Sequence, residues 1–86
     1  MTAPEWAQRV IALRRHLGLR QAEFGKHFGV TQAAVSKWES GQKEPSAANY
    51  IRMGNLATDQ SDCFWFWQKA GVDINRIRTL ISKQSP

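Results

Sequence analysis

Hydrophobic residues in the first part of the chain recur at the spacing of an α-helix. One stripe, at i, i+4, i+7 and i+11, consists of Trp6, Val10, Leu13 and Leu17. This stripe predicts a helix over about residues 3 to 17. Thr2 and Glu5 have the spacing of a capping box, and Gly18 supplies a C-terminal stop.

A shorter helix is predicted over residues 21 to 28, where Phe24 and Phe28 share one face at i, i+4. Gly29 follows as a left-handed stop. Gly25 lies in the middle of this helix, where glycine costs about 1 kcal/mol relative to alanine. We therefore expect the backbone at Gly25 to approach a neighbouring helix closely.

The next helix is predicted over residues 32 to 39, with Thr31 as N-cap and Gly41 as its stop. Val30 and Val35 have the spacing of a hydrophobic staple. At about 100° per residue, Val35 and Trp38 fall on one side of the helix. The opposite side is formed by Gln32, Ala33, Ser36, Lys37 and Ser40.

The C-terminal half also has helical patterns. Ser46 can cap a helix over residues 47 to 57, and Ser61 can cap another over 62 to 70. Asp73 can cap a last helix whose apolar stripe consists of Ile74, Ile77, Leu80 and Ile81. No segment has the alternation of a strand, so we predict an all-α bundle of five or six short helices.

The polar side of residues 32 to 39 differs from an ordinary solvated helix face. Such a face typically carries Glu and Lys at i, i+4, whereas this one has short side chains, no acid and a single cation. Gln can bond adenine, Ala can touch a thymine methyl, Ser can bond a base edge or phosphate, and Lys can reach guanine acceptors. The face therefore has the chemistry to lie against DNA.

Two helices joined by a turn at Gly29 have the spacing of a helix-turn-helix. From about Val10 to Ala57, with LRRHLGLRQAEFGKHFGVTQAAVSKWESGQKEPS at its centre, the chain resembles the Cro and phage-repressor type of helix-turn-helix proteins, the XRE family. The resemblance implies a lambda-repressor-like DNA-binding domain over residues 1 to 58. Residues 59 to 86 are expected to form a helical extension packed on it, which either serves in dimerisation or only completes the core.

The resemblance also implies roles for individual residues. Base edges would be contacted by Gln32, Ala33, Ser36 and Lys37. Phosphates would be contacted by Arg20, Gln21, Ser40 and Lys43. Arg14 and Glu39 match a structural ion pair between helix 1 and the end of the recognition helix. The chain departs from the family at Arg20, where a Ser or Thr cap is usual, and a cation near the phosphates replaces the cap.

The composition is consistent with a nucleic-acid partner, and it gives no sign of a catalytic or metal-binding site. The net charge of +5 and the pI near 10.0 suit contact with a polyanion. Cys63 is the only cysteine, and neither His16 nor His27 has a ligand partner at metal-binding spacing. We expect no enzyme, no metal and no cofactor. The first residues lack a signal pattern and no apolar run could span a membrane, so we expect a cytoplasmic protein, associated with the nucleoid when bound.

Four consecutive aromatic residues, Phe64, Trp65, Phe66 and Trp67, point around most of a helix circumference. They complete the core beneath the last helix, or they form a homodimer interface. The function predicted from the sequence is a DNA-binding transcriptional regulator that acts as a dimer on a near-palindromic operator. The alternative function is that of an antitoxin-like or adaptor module that binds a protein partner through the aromatic segment.

Overall fold

The computed structural model describes residues 2 to 84, with side chains described through residue 81. Within this range the chain forms six α-helices and no strand, as the all-α prediction requires. The helices are α1 (Glu5–His16), α2 (Gln21–Lys26), α3 (Gln32–Glu39), α4 (Ala47–Leu56), α5 (Gln60–Lys69) and α6 (Ile74–Gln84). They divide between two compact units, Met1–Pro45 and Ser46–Pro86.

The first unit holds α1, α2 and α3. Its buried apolar side chains are Ala7, Val10, Leu13, Phe24, Phe28, Val35 and Trp38. All of these but Ala7 were predicted as inner-face residues, whereas the predicted Trp6 and Leu17 are only half-buried. Each helix thus has one apolar stripe in the core and one polar side in solvent, which is the pattern that holds short helices together.

The second unit holds α4, α5 and α6. Its buried apolar residues are Tyr50, Met53, Phe64, Phe66 and Ile74. Helices α4 and α5 pack closely because Gly54 leaves room for the Trp67 ring. A Cβ atom added at Gly54 would lie 2.5 Å from Trp67 Nε1 and 3.0 Å from the Cys63 carbonyl oxygen. The same Trp67 nitrogen donates a hydrogen bond to the Ile51 carbonyl at 3.2 Å.

Two helix starts differ from the sequence prediction. Helix α1 begins at Glu5, after Pro4 at the N-cap, and no side chain caps it, so the capping box predicted for Thr2 is wrong. Helix α5 begins at Gln60, not residue 62, because Asp59 Oδ1 accepts from the Asp62 backbone N–H at 2.8 Å. A carboxylate is as good an N-cap as a serine hydroxyl, and Asp59 precedes Ser61 in the chain.

The other predicted caps are present. Ser46 Oγ accepts from the Asn49 backbone N–H at 3.2 Å, and Asp73 Oδ1 accepts from the Arg76 N–H at 3.2 Å. The turn after α2 starts earlier than predicted, since α2 ends at Lys26. Phe28 nevertheless stays buried, because its backbone N–H still bonds the Gly25 carbonyl at 3.0 Å.

Candidate nucleic-acid interface

The turn between α2 and α3 fixes where α3 begins. Gly29 has φ +66°, a left-handed conformation that glycine adopts without steric cost. A Cβ at Gly25 would lie 2.7 Å from the Val30 carbonyl oxygen, so glycine is required for α2 to pass the turn this closely. Thr31 then accepts a hydrogen bond from the Ala34 backbone N–H at 3.1 Å and caps α3.

The inner face of α3 is anchored by aliphatic and aromatic contacts. Val35 is fully buried and Trp38 is 4% exposed. The Trp38 ring meets Phe28 edge to face with centroids 5.6 Å apart, and Phe28 meets Phe24 at 4.8 Å. Aromatic pairs at these distances contribute about 0.5–1.5 kcal/mol each beyond area burial. The inner face of α3 is thus held against α2 and the turn that follows α2.

The outer face of α3 is the one predicted to contact base edges. All of its predicted members are exposed to solvent: Gln32, Ala33, Ser36 and Lys37. They lie on a continuous eight-residue helix whose bounds, Gln32–Glu39, match the predicted 32 to 39. The structure therefore presents these four side chains together on one rigid element.

Arg14 of α1 and Glu39 of α3 form a two-pronged ion pair. Arg14 Nε donates to Glu39 Oε2 at 2.6 Å and Nη2 donates to Oε1 at 3.0 Å. The Arg14 side chain is 16% exposed and the Glu39 side chain 8%. The hydrogen bond to Glu39 raises the pKa of the Arg14 guanidinium, so Arg14 stays charged at any working pH. The pair joins the C-terminal end of α3 to α1.

Gln21 joins this ion pair, a link that the sequence did not predict. Its side-chain Nε2 donates to Glu39 Oε1 at 3.1 Å. One amide hydrogen is thereby used and the second can still be donated to a ligand. The spacing of 18 residues between Gln21 and Glu39 carries no periodic signal, so only the folded structure shows their contact.

The other residues predicted to contact phosphate lie at the two ends of the motif. Arg20 is the exposed N-cap of α2, and Lys43 is exposed in the turn after α3. Arg20 cannot accept a backbone N–H, so capping is left to Glu23, whose Oε1 accepts from the Arg20 N–H at 2.9 Å. The Ser40 hydroxyl donates to the Lys37 carbonyl at 3.2 Å. A phosphate contact would require that hydroxyl to turn away.

The aromatic segment lies in α5 and largely serves the second unit. Phe64 is 6% exposed and Phe66 is 2% exposed, so they are core residues of the protomer. Trp65 and Trp67 are half-buried. A role in dimerisation stays a prediction, and within the segment the surface left for a partner belongs to these two tryptophans.

Among the described residues, between 2 and 81, no three His, Cys, Asp or Glu side chains lie close enough to hold a metal ion. Burial raises the pKa of the Cys63 thiol, which disfavours its reactive thiolate. No helix in the described range is long and apolar enough to cross a membrane.

Comparison with known proteins identifies the class. The family model described as "Helix-turn-helix" matches residues 10–55, and the chain belongs to this family. The resemblance to Cro and phage-repressor proteins that the sequence suggested is confirmed at this level. The matched segment contains α2, α3 and most of α1 and α4.

A particular relative is "Repressor protein C2" of Salmonella phage P22. It is 39% identical to this chain over 46 residues, which are 54% of the chain and 21% of the phage protein. The chain therefore aligns with about a fifth of the length of that curated relative. No solved structure gives a significant match.

Proposed function

We propose that this chain is a transcriptional regulator that binds specific double-stranded DNA sequences by inserting α3 into the major groove. One observation carries the proposal: α3 is anchored on its inner face by Val35, Trp38 and Glu39, while its outer face exposes a short polar set. A B-DNA major groove admits one α-helix, and base edges there differ in donors, acceptors and methyl groups. The family match and the phage repressor relative support the same class.

Each exposed side chain of α3 suits a different contact with the bases. Gln32 has the donor and acceptor pair that bonds adenine, and Lys37 has the cation that bonds guanine acceptors. Ser36 bonds a base edge or a nearby phosphate. Ala33 has only a methyl group, so it contacts a thymine methyl or a bare groove edge.

Phosphate contacts then position the protein on the duplex without selecting sequence. Arg20 before α2 and Lys43 after α3 supply exposed cations at the two ends of the helix-turn-helix. Gln21 supplies the amide hydrogen that Glu39 leaves unused. Ser40 contributes once its hydroxyl turns from the Lys37 carbonyl. The net charge of +5 draws the protein to the polyanion.

The regulator acts as a homodimer on a near-palindromic operator. Two recognition helices then enter successive major grooves roughly 34 Å apart, one helical turn of DNA. Regulation follows from occupancy of a promoter in the cytoplasm and needs no catalysis or cofactor. The exposed parts of Trp65 and Trp67 belong to the surface that contacts the second copy or another protein.

Selection of bound sequences from a random DNA pool tests the proposal. We expect enrichment of one motif with two related half-sites, followed by loss of affinity as salt rises in a mobility-shift titration, because released counterions oppose binding. A pool that stays random would contradict sequence-specific binding. An enriched single half-site without a partner would contradict the palindromic operator but not groove recognition. No binding at any salt concentration would favour the protein-interaction module.

A further inference from the structure

The hydrogen bond between Gln21 and Glu39 determines which end of the Gln21 amide faces which way. Glu39 pairs as a carboxylate with the Arg14 guanidinium, and a carboxylate has only acceptors. Gln21 therefore turns its nitrogen, not its oxygen, toward Glu39 Oε1, and the two atoms are 3.1 Å apart. A glutamine amide in solvent presents either end to a ligand, whereas this one is held in a single orientation.

Glu39 can orient Gln21 because its own position is fixed. Both of its carboxylate oxygens accept hydrogen bonds from Arg14, and its side chain is only 8% exposed. Two parallel bonds between arginine and a carboxylate define the geometry of both groups as well as contributing energy. The acceptor that holds the Gln21 amide is thus a rigid group and not a mobile surface carboxylate.

Arg14 also holds the backbone that leads into α2. Its Nη1 donates to the Leu19 carbonyl at 3.0 Å, and the Leu19 N–H donates to the Arg14 carbonyl at 3.2 Å. Leu19 lies two residues before Gln21, the first residue of α2. One guanidinium therefore fixes both the chain that carries Gln21 and the carboxylate that orients its side chain. The network joins the start of α2 to Glu39, the last residue of α3.

We propose that Glu39 is a positioning residue for DNA binding, which orients the Gln21 amide so that its second hydrogen is donated to a backbone phosphate. The inference rests on the proposed function, in which Gln21 contacts a phosphate. Phosphate oxygens are negatively charged acceptors, so they bond the nitrogen end of the amide and repel the oxygen end. An amide already held in the bound orientation loses less conformational freedom when DNA arrives. Arg14 cancels the charge of Glu39, which would otherwise repel the same phosphate.

The ion pair therefore has two effects that separate experimentally. Its link between α1 and α3 contributes to the stability of the first unit. Its effect on DNA affinity acts through the Gln21 side chain and exists only while that side chain is present. Because a phosphate contact carries no sequence information, the effect on affinity is the same for all operator variants.

The test replaces the ion pair without changing the net charge. R14M/E39M removes the carboxylate that holds Gln21 and leaves no unpaired charge, and E5Q/R9M makes the matched change in the exposed pair of α1. Far-UV circular dichroism and urea unfolding first establish that both variants fold. For the selected operator we expect Gln21→Ala to lower affinity about tenfold or more, R14M/E39M about threefold or more, and E5Q/R9M less than about twofold.

The decisive comparison is made in the Gln21→Ala background. There R14M/E39M should lower affinity by less than about twofold, because the side chain that Glu39 positions is already absent. The ranking of operator variants should stay unchanged throughout. An equal loss with and without Gln21, or no loss in either case, would overturn the positioning role and leave the ion pair a structural one only.

The orientation of the amide is also measurable without DNA, by nuclear magnetic resonance of the glutamine side-chain NH₂ groups. The Gln21 signals are assigned by their absence in Gln21→Ala. In the unchanged chain we expect one of its two hydrogens to resonate apart from those of the exposed Gln32 and Gln42, because it is bonded to a carboxylate, and to rejoin them in R14M/E39M. Gln21 signals that coincide with the exposed amides in the unchanged chain would overturn the inference. A displaced Gln21 hydrogen in a chain that selects no DNA sequence would instead count against the proposed function.

Discussion

Removal of one partner of the Arg14–Glu39 ion pair should destabilise the first unit strongly, because the remaining charge is left unpaired. Glu39→Gln removes the charge while keeping the shape of the side chain. The Arg14 guanidinium, 16% exposed, is then left without its counter-ion. Loss of one partner of a buried pair costs about 3–5 kcal/mol, and the partial exposure here places the expected loss near the lower end, about 3 kcal/mol.

A matched control lies on the surface of α1. Arg9 and Glu5 pair at i, i+4 with Nη2 and Oε2 3.9 Å apart, and their side chains are 37% and 70% exposed. Glu5→Gln removes the acidic partner of an ion pair in the same way, but at a solvent-exposed position, where such pairs contribute about 0.3–0.5 kcal/mol to stability. The free energy of unfolding is measured by urea titration followed by circular dichroism. For a chain of this size, a loss of about 3 kcal/mol in Glu39→Gln also lowers the melting temperature by about 12 to 24 °C.

The reasoning would be refuted if Glu39→Gln and Glu5→Gln lowered the free energy of unfolding by similar amounts. A double variant gives a second check. Replacement of Arg14 and Glu39 together by methionine leaves no unpaired charge, so we expect it to regain at least half of the stability lost in Glu39→Gln. A double variant less stable than Glu39→Gln would show that the charges themselves stabilise the fold.

The α3 cap, the contact at Gly54 and the Cys63 thiol each give a further testable expectation. Thr31→Ala should lower the free energy of unfolding by about 1 kcal/mol through loss of the α3 cap, whereas Thr2→Ala should change nothing because Thr2 caps no helix. Gly54→Ala should lower it by about 1–3 kcal/mol, because the added Cβ overlaps the Trp67 ring, and near-ultraviolet circular dichroism should report the displaced indole. Burial raises the pKa of the Cys63 thiol, so at about pH 8 it should react with a thiol reagent more slowly in the folded than in the urea-unfolded chain.

Each of these expectations can fail in a distinct way. Equal losses for Thr31→Ala and Thr2→Ala would mean that the Thr31 hydrogen bond contributes nothing to α3. A more stable Gly54→Ala variant would mean that helix propensity outweighs the contact with Trp67. Equal thiol reaction rates in the folded and unfolded chain would mean that the raised pKa of Cys63 does not limit its reaction.

The recognition helix could be located from sequence because several independent signals coincide there. Thr31 is a good N-cap, so it marks the start of a helix that follows it. Gly29 ends the preceding helical segment and Gly41 ends α3, both in left-handed conformations. Val35 and Trp38 identify the inner face. Local rules of this kind do not depend on the rest of the fold. For the same reason the bounds of α3 were predicted to the residue.

Where two residues near a helix start are both good N-caps, the sequence alone does not determine which of them caps the helix. Asp59 and Ser61 are both good N-caps, and the structure selects Asp59. Contacts between distant residues carry no periodic signal at all, as with the hydrogen bond from Gln21 to Glu39. The consecutive aromatic residues of α5 pose a third difficulty, since their burial depends on how α4 and α6 pack around them. Only the structure separates buried Phe66 from half-buried Trp65.

The central claim is that the exposed face of α3 selects the DNA sequence. It is tested most directly by ranking a set of single-base operator variants against the unchanged chain, Gln32→Ala, Lys37→Ala and Lys43→Ala. We expect Gln32→Ala and Lys37→Ala each to relax preference at one position of each half-site, by about 1 to 3 kcal/mol. Lys43→Ala should weaken all sequences alike and leave their order intact. The account would be contradicted if neither change in α3 altered the ranking, or if Lys43→Ala altered it as much.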